Sequence, residues 1–141
     1  MPRTIRFVDQ RAVTVKMTLE IMRLFCSAYF RADLYGSRAA DFVLVGAVFV
    51  GQAEGRPLNA SKIADFAGLP RATAIRRLIE LEQIGIVKRH GKTYTIDRAV
   101  ANSDAVLDAG NAARRQIVDT AARLSKMDTE PIAAKARQAL A

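Results

Sequence analysis

The chain has 141 residues, half of them apolar and 26% charged, which suits one soluble globular domain built on a single core. One Cys and one His exclude a disulfide framework, a cysteine-rich zinc site and a multi-histidine metal centre; no apolar run approaches the ~20 residues of a membrane-spanning helix. Of the formal net charge of +8, a surplus of +5 falls within residues 56–98. Such a surplus either keeps a face solvated or attracts a polyanion through counterion release, and charge alone does not choose between the two.

Weak alternation in Thr4-Ile5-Arg6-Phe7-Val8 suggests an extended arm or short strand within residues 1–13. Met1 to Arg11 is basic, but no signal-type apolar core follows it, so a cytoplasmic protein is expected. From Val15 the apolar positions Leu19, Met22, Phe25 and Tyr29 recur every three or four residues, predicting a helix to about Leu34. Gly36 would end it, and Ser37 would cap the next. Asp41 to Ala53 is apolar almost all round, as befits a central helix; its β-branched content would equally allow a buried strand, but the run is long for one. Gly55-Arg56-Pro57 is a turn. Asn59 or Ala60 then opens a short helix, Ser61 to Ala67, with Ile63, Ala64 and Phe66 facing inward.

Gly68-Leu69-Pro70 breaks that helix, and Pro70 at a first helical position starts another, Arg71 to Ile84, which Gly85 ends. Ile86 to Arg89 and Thr93 to Ile96 are short β-prone runs around His90-Gly91-Lys92, a tight hairpin. From Ser103 the positions Val106, Ala113, Ile117, Ala121 and Leu124 predict a long helix; Thr129-Glu130-Pro131 punctuates it before a short helix over Ile132 to Leu140.

A short helix, a glycine turn, a second helix with a polar outer face and a basic hairpin together make a winged helix-turn-helix. The fold class is therefore mainly α with a small β-hairpin wing: residues 1–36 an arm and dimerisation helix, 37–98 the winged unit, and 99–141 further dimerisation helices, all within one structural domain. At ~100° per residue the apolar stripe of the second helix centres between Ala74 and Ile75. The opposite side then carries Thr73, Arg76, Glu80 and Gln83, flanked by Ala72 and Arg77, with Arg71 in the first turn. Thr73 and Arg76 are best placed for base edges, since an arginine can pair bidentately with guanine. The bland alternative makes Arg76 and Arg77 solvated charges, with Arg76 bridging Glu80; within this motif DNA contact is the preferred reading, for Arg71, Ala72, Arg76 and Arg77 alike. Ser61 and Lys62, at a helix N-terminus, and Arg89, His90 and Lys92, on the hairpin, are phosphate candidates.

The run from Gly68 to Arg89 resembles the recognition helix and wing entry of MarR-type transcriptional regulators, whose pattern there is roughly Ser-Thr-Val, Arg, two spaced Leu, Glu, then Gly-Leu-Val-x-Arg. Thr73, Arg76, Leu81, Glu82, Gly85 and Arg89 match, while Ala72 stands where Ser is usual. The IclR-type helix-turn-helix shares Gly-Leu-Pro and the same Thr and Arg, so the resemblance is to the winged-helix superfamily first. It implies a homodimeric regulator, with the helices of residues 15–34 and 103–125 as its two-fold interface; the alternative is that both fold back on their own subunit. It also implies a small aromatic effector in a cavity between those helices and the winged unit. The family's longer wing with Asp-x-Arg is replaced here by a turn of about two residues, Gly91-Lys92, which argues against deep minor-groove insertion.

Cys26, among Leu24, Phe25 and Tyr29, reads as a buried structural residue rather than a redox sensor, although Arg23 lies three residues earlier. The set Met17, Met22, Phe25, Phe30, Phe42 and Phe49 reads as core before it reads as a ligand pocket. No phosphate loop, Ser/His/Asp set or metal-ligand cluster is present, so neither an enzyme nor a cofactor is expected. The expected partners are double-stranded DNA and a second copy of the chain, with no membrane. The reading is a sequence-specific DNA-binding transcriptional regulator, most simply a repressor on a pseudo-palindromic operator. Two other readings stand beside it: a winged-helix protein-interaction module, and a plasmid or phage replication or partition factor.

Overall fold

A helix with no polar side is stable only if other elements cover it on every side, and Ala39–Ala53 is such a helix. The computed structural model describes residues 8–31 and 35–129. In chain order it has α1 (Val8–Phe30), a 3-10 turn (Tyr35–Arg38), α2 (Ala39–Ala53), α3 (Ala60–Ala67), α4 (Arg71–Gln83), β1 (Val87–His90), β2 (Thr93–Ile96), α5 (Arg98–Ala101) and α6 (Asp104–Asp128). This is the mainly helical winged helix-turn-helix with flanking helices read from the sequence. α1, α3, α4 and β2 all pack on α2. Leu44, Val45, Ala47 and Val48 of α2 join Ile63, Ala64, Ala74, Leu78, Leu81, Ile86, Val87, Tyr94 and Ile96 in one buried cluster.

The hairpin pairs in antiparallel register, Val87 with Ile96 through His90 with Thr93, and so turns in two residues. Gly91 takes φ +62 at its tip, a left-handed conformation that costs glycine nothing. Two contacts fasten the hairpin to the core. The Ile96 amide donates to Gln52 Oε1 at the end of α2 (2.8 Å), and the Tyr94 amide donates to the Leu58 carbonyl (3.1 Å). α6 lies along α1, and their polar contacts include Gln116 Nε2 to Glu20 Oε2 (2.8 Å) and Gln10 Nε2 to Asp128 Oδ1 (2.8 Å).

Several boundaries differ from the sequence reading. Val8 to Val13 are helical, because α1 begins about two turns earlier than the apolar repeat; Thr4 to Phe7 lie outside the described residues. α1 stops at Phe30, where Arg31 turns to φ +50, rather than running to Leu34, which also lies outside the described residues. Ser37 does not cap α2: it sits within the 3-10 turn, and the cap position is Arg38, which makes no side-chain cap bond. Pro70 is the cap of α4 rather than its first residue, with ψ 140. Phe66 is 61% exposed, because α3 packs on the core through Ala60, Ile63, Ala64 and Ala67 instead. His90 belongs to β1 rather than to the turn. The short α5 was not read from the sequence; Asp97 caps it by accepting from the Val100 amide (3.1 Å). The helix expected over Ile132 to Leu140 lies outside the described residues.

Gly51 is where the chain after α2 folds back most closely. A Cβ there would lie 2.7 Å from Leu58 Cγ and 3.0 Å from the Arg56 carbonyl oxygen. The neighbour that would have to move is backbone as well as side chain. Gly51→Ala is therefore expected to destabilise the fold by about 1–3 kcal/mol, read as a lowered midpoint in chemical denaturation.

Candidate nucleic-acid interface

α3 and α4 are joined by a short turn of three residues, 68–70. The Asn59 side chain caps α3 by accepting from the Lys62 amide (2.9 Å). At the other end Gly68 takes φ +68, and the Leu69 amide reaches back to the Ala64 carbonyl (3.0 Å). Ala64 is buried at this crossing, where a larger side chain would hold the helices apart. α4 then seats Ala74, Leu78 and Leu81 on the core. Its outer side presents Arg71, Ala72, Arg76, Glu80 and Gln83 exposed, with Thr73 half-buried. Among the described residues Arg76 makes no ion pair, so the bridge to Glu80 does not form.

The hairpin lies beside the start of α3, because Asn59 bridges to Thr93. That contact brings Lys62, exposed, and Ser61, half-buried, onto the same side of the molecule as the wing. On the wing Arg89 Nε donates to the Gly91 carbonyl (2.8 Å), which folds its guanidinium over the tip, and His90 Nε2 lies 2.9 Å from Thr95 Oγ1. Lys92 is exposed at the turn. Lys88 pairs with Asp97 (3.2 Å), and the Val100 amide together with that ammonium holds the Asp97 carboxyl below its ordinary range.

Residues 52–91 match the IclR helix-turn-helix domain. The match runs from the last turn of α2 to the tip of the hairpin, under a third of the chain, and its family is a DNA-binding helix-turn-helix rather than an enzyme family. It supports the winged-helix level of the sequence resemblance, and gives the IclR type where the residue pattern resembles MarR. Comparison with curated proteins and with solved structures gives no match.

Within this helix-turn-helix Arg77 stands apart from the other arginines of α4. Its Nη1 donates to Asp41 Oδ1 on α2 (3.2 Å), while Asp41 Oδ2 accepts from Arg38 Nη1 (3.0 Å). Asp41 is 3% exposed, the one buried charged residue among those described. It was missed in the sequence because an acid in the first turn of a helix already has a sufficient explanation in the helix dipole.

Beside the winged unit, α1, α2 and the start of α6 enclose an apolar cavity of about 610 Å³, lined by Phe25, Tyr29, Phe42, Phe49, Val106 and Leu107 among others. Phe25 and Phe42 stack there at 5.9 Å, so part of the aromatic set read as core lines a cavity instead. Among the described residues no group of His, Cys, Asp and Glu is placed to hold a metal ion, and no single helix is long and apolar enough to cross a membrane.

Cys26 is fully buried, and burial, then the nearby Asp41 charge, push its thiol up from the usual range. A raised pKa leaves it protonated at neutral pH and poorly nucleophilic. At pH 8 the folded protein is expected to react with iodoacetamide at least tenfold more slowly than the same protein in denaturant, followed by mass spectrometry. Equal rates would mean that the thiol is accessible and ionised.

Proposed function

We propose that this chain is a sequence-specific double-stranded DNA-binding transcriptional regulator, acting in the cytoplasm as a homodimer and most simply as a repressor. The observation that carries the reading is the outer side of α4. Arg71, Thr73 and Arg76 stand on the surface of a helix whose opposite side is locked into the core, and Arg76 has no ion-pair partner among the described residues. The match of residues 52–91 to the IclR helix-turn-helix supports it. In this reading α4 enters the major groove, with Thr73 and Arg76 at base edges and Arg71 and Ala72 in the first turn against the groove wall. Lys62 and Ser61, and Arg89, His90 and Lys92 on the wing, meet phosphates and fix the register. Two copies would place their α4 helices in successive major grooves about 34–36 Å apart.

The dimer has its support in the flanking helices, and here the resemblance to MarR-type regulators is the guide. Leu107, Ile117 and Val118 on α6 and Val15 and Leu19 on α1 are each about half exposed in a single copy. The cavity lined by Phe25, Phe42 and Phe49 is the place for a small aromatic effector. A protein-interaction module is the second reading, favoured by Phe66, Ile79 and Ile84, all at least 46% exposed on the winged unit itself.

The deciding experiment is binding of the purified protein to its own upstream DNA at about 150 mM salt, beside a scrambled duplex of equal length. Strong preference for its own DNA is expected. Arg76→Ala should then weaken that preference by about 1–3 kcal/mol, whereas Lys62→Ala should weaken both duplexes alike. Weak and equal binding to both duplexes, with no effect of Arg76→Ala, would favour the interaction module.

A further inference from the structure

We infer that Asp41 is a specificity-determining residue of the DNA-binding surface, because it withdraws the Arg77 guanidinium from the set of cations that could meet phosphate. The inference rests on the DNA-binding reading above. Arg77 lies one helical turn after Thr73, so it shares that edge of α4. Its side chain is nevertheless only 30% exposed, because the guanidinium is turned inward to Asp41. Asp41 already has a second arginine, Arg38, at 3.0 Å, and so is not short of a counter-charge. Arg77 Nε is buried and has no hydrogen-bond partner among the described residues. A pair that leaves a donor unsatisfied is not the most stable way to fill this site, since apolar side chains of similar volume commonly do as well or better. What the pair does achieve is to hold a mobile cation away from solvent at the edge of the reading helix. A free arginine there would contact phosphate irrespective of base sequence, and phosphate contacts add affinity without discrimination. Asp41 thus limits sequence-blind binding while the readers Thr73 and Arg76 remain outward.

The test uses the full chain and compares wild type with Asp41→Asn, Arg77→Ala, the double variant and Arg76→Ala. The slope of log affinity against log salt is measured on the protein's own upstream duplex and on a scrambled one, with each variant's melting curve recorded beside it. Folded Asp41→Asn is expected to bind the scrambled duplex several-fold more tightly, with a slope steeper by about one for each arginine that gains a phosphate. Its preference for the upstream duplex shrinks correspondingly. Adding Arg77→Ala takes back the part due to Arg77. Arg77→Ala alone is expected to leave the wild-type slope unchanged on both duplexes, and this arm decides the matter even if Asp41→Asn fails to fold. A slope shallower by about one in Arg77→Ala would overturn the inference, since Arg77 would already be on phosphate. So would a folded Asp41→Asn with an unaltered slope. If wild type shows no preference for its own duplex and Arg76→Ala changes nothing, the DNA-binding reading itself falls, a result that neither outcome for Asp41 or Arg77 would give.

Discussion

The arrangement of the winged unit follows from the need to cover α2. Leu44, Ala47 and Val48 are fully buried and Val45 nearly so, which requires a separate element over each side of the helix. α1 supplies one, α3 and α4 a second and third, and β2 the next. Since α3, the glycine turn and α4 are contiguous, they can satisfy two of these sides only by crossing closely at Ala64, and that crossing fixes which side of α4 is left outside. The outward position of Thr73 and Arg76 is in this sense a consequence of burying Ala74, Leu78 and Leu81 against α2. Each of those apolar side chains contributes roughly 1–3 kcal/mol by leaving water, far more than any surface charge could offset.

Apolar packing sets the face of α4, while its slide along that face is less tightly determined, because aliphatic contacts are non-directional. The Asp41 cluster adds direction. Its carboxylate oxygens are divided between Arg38, at the entry to α2, and Arg77, in the middle of α4. Arg38 also lies over the Phe30 ring at 5.5 Å, so the same group ties the end of α1 into the arrangement. Asp41 is the buried member, while Arg38 and Arg77 keep partial contact with water, so losing either arginine leaves the carboxylate with the other and costs less than breaking a fully buried pair. Gln52 plays the corresponding part for the wing: without its side-chain oxygen the Ile96 amide would be left without a partner where the hairpin meets α2. α4 and the wing are thus each fastened to α2 by one directional polar contact near opposite ends of it.

What could be read from the sequence is what local physics decides. The helix-turn-helix was legible because Gly68 and Pro70 punctuate it and because the repeat of Ala74, Leu78 and Leu81 can only be helical. The hairpin was legible from Gly91 and its β-prone flanks. Phe66 was misplaced because hydrophobicity says that a side chain would gain from burial but not which side chains meet the core, and α3 packs there through Ala60, Ile63, Ala64 and Ala67. The helical start of α1 was lost because the residues from Val8 to Val13 precede its apolar repeat. Asp41 and Arg77 are 36 residues apart, a separation over which no periodic pattern carries information. Arg77 consequently reads as one more surface cation when taken with its neighbours alone. The α5 cap, by contrast, was visible in principle: Asp97 stands three residues before Val100, the spacing at which a side-chain oxygen meets a helical amide.

Half-exposed apolar residues on α1 and α6 are what support the proposed homodimer. Along α6 the buried residues after Val106 are small, Ala109 and Ala113, and further on the contact with α1 includes the polar pair Gln116 and Glu20. Leu107 and Val118 stand on the flank of α6 beside that small-residue face, Ile117 continues it one turn beyond Ala113, and all three stay about half exposed. In a single copy these side chains leave apolar area uncovered, and covering it is worth roughly 25 cal/mol for each Å². Ala109 and Ala113 let α6 approach α1 closely, while that apolar area stays uncovered. A second copy related by a two-fold axis can bury such a surface against its own equivalent. In the proposed homodimer this pairing would set the separation of the two α4 helices, which would have to match one turn of DNA.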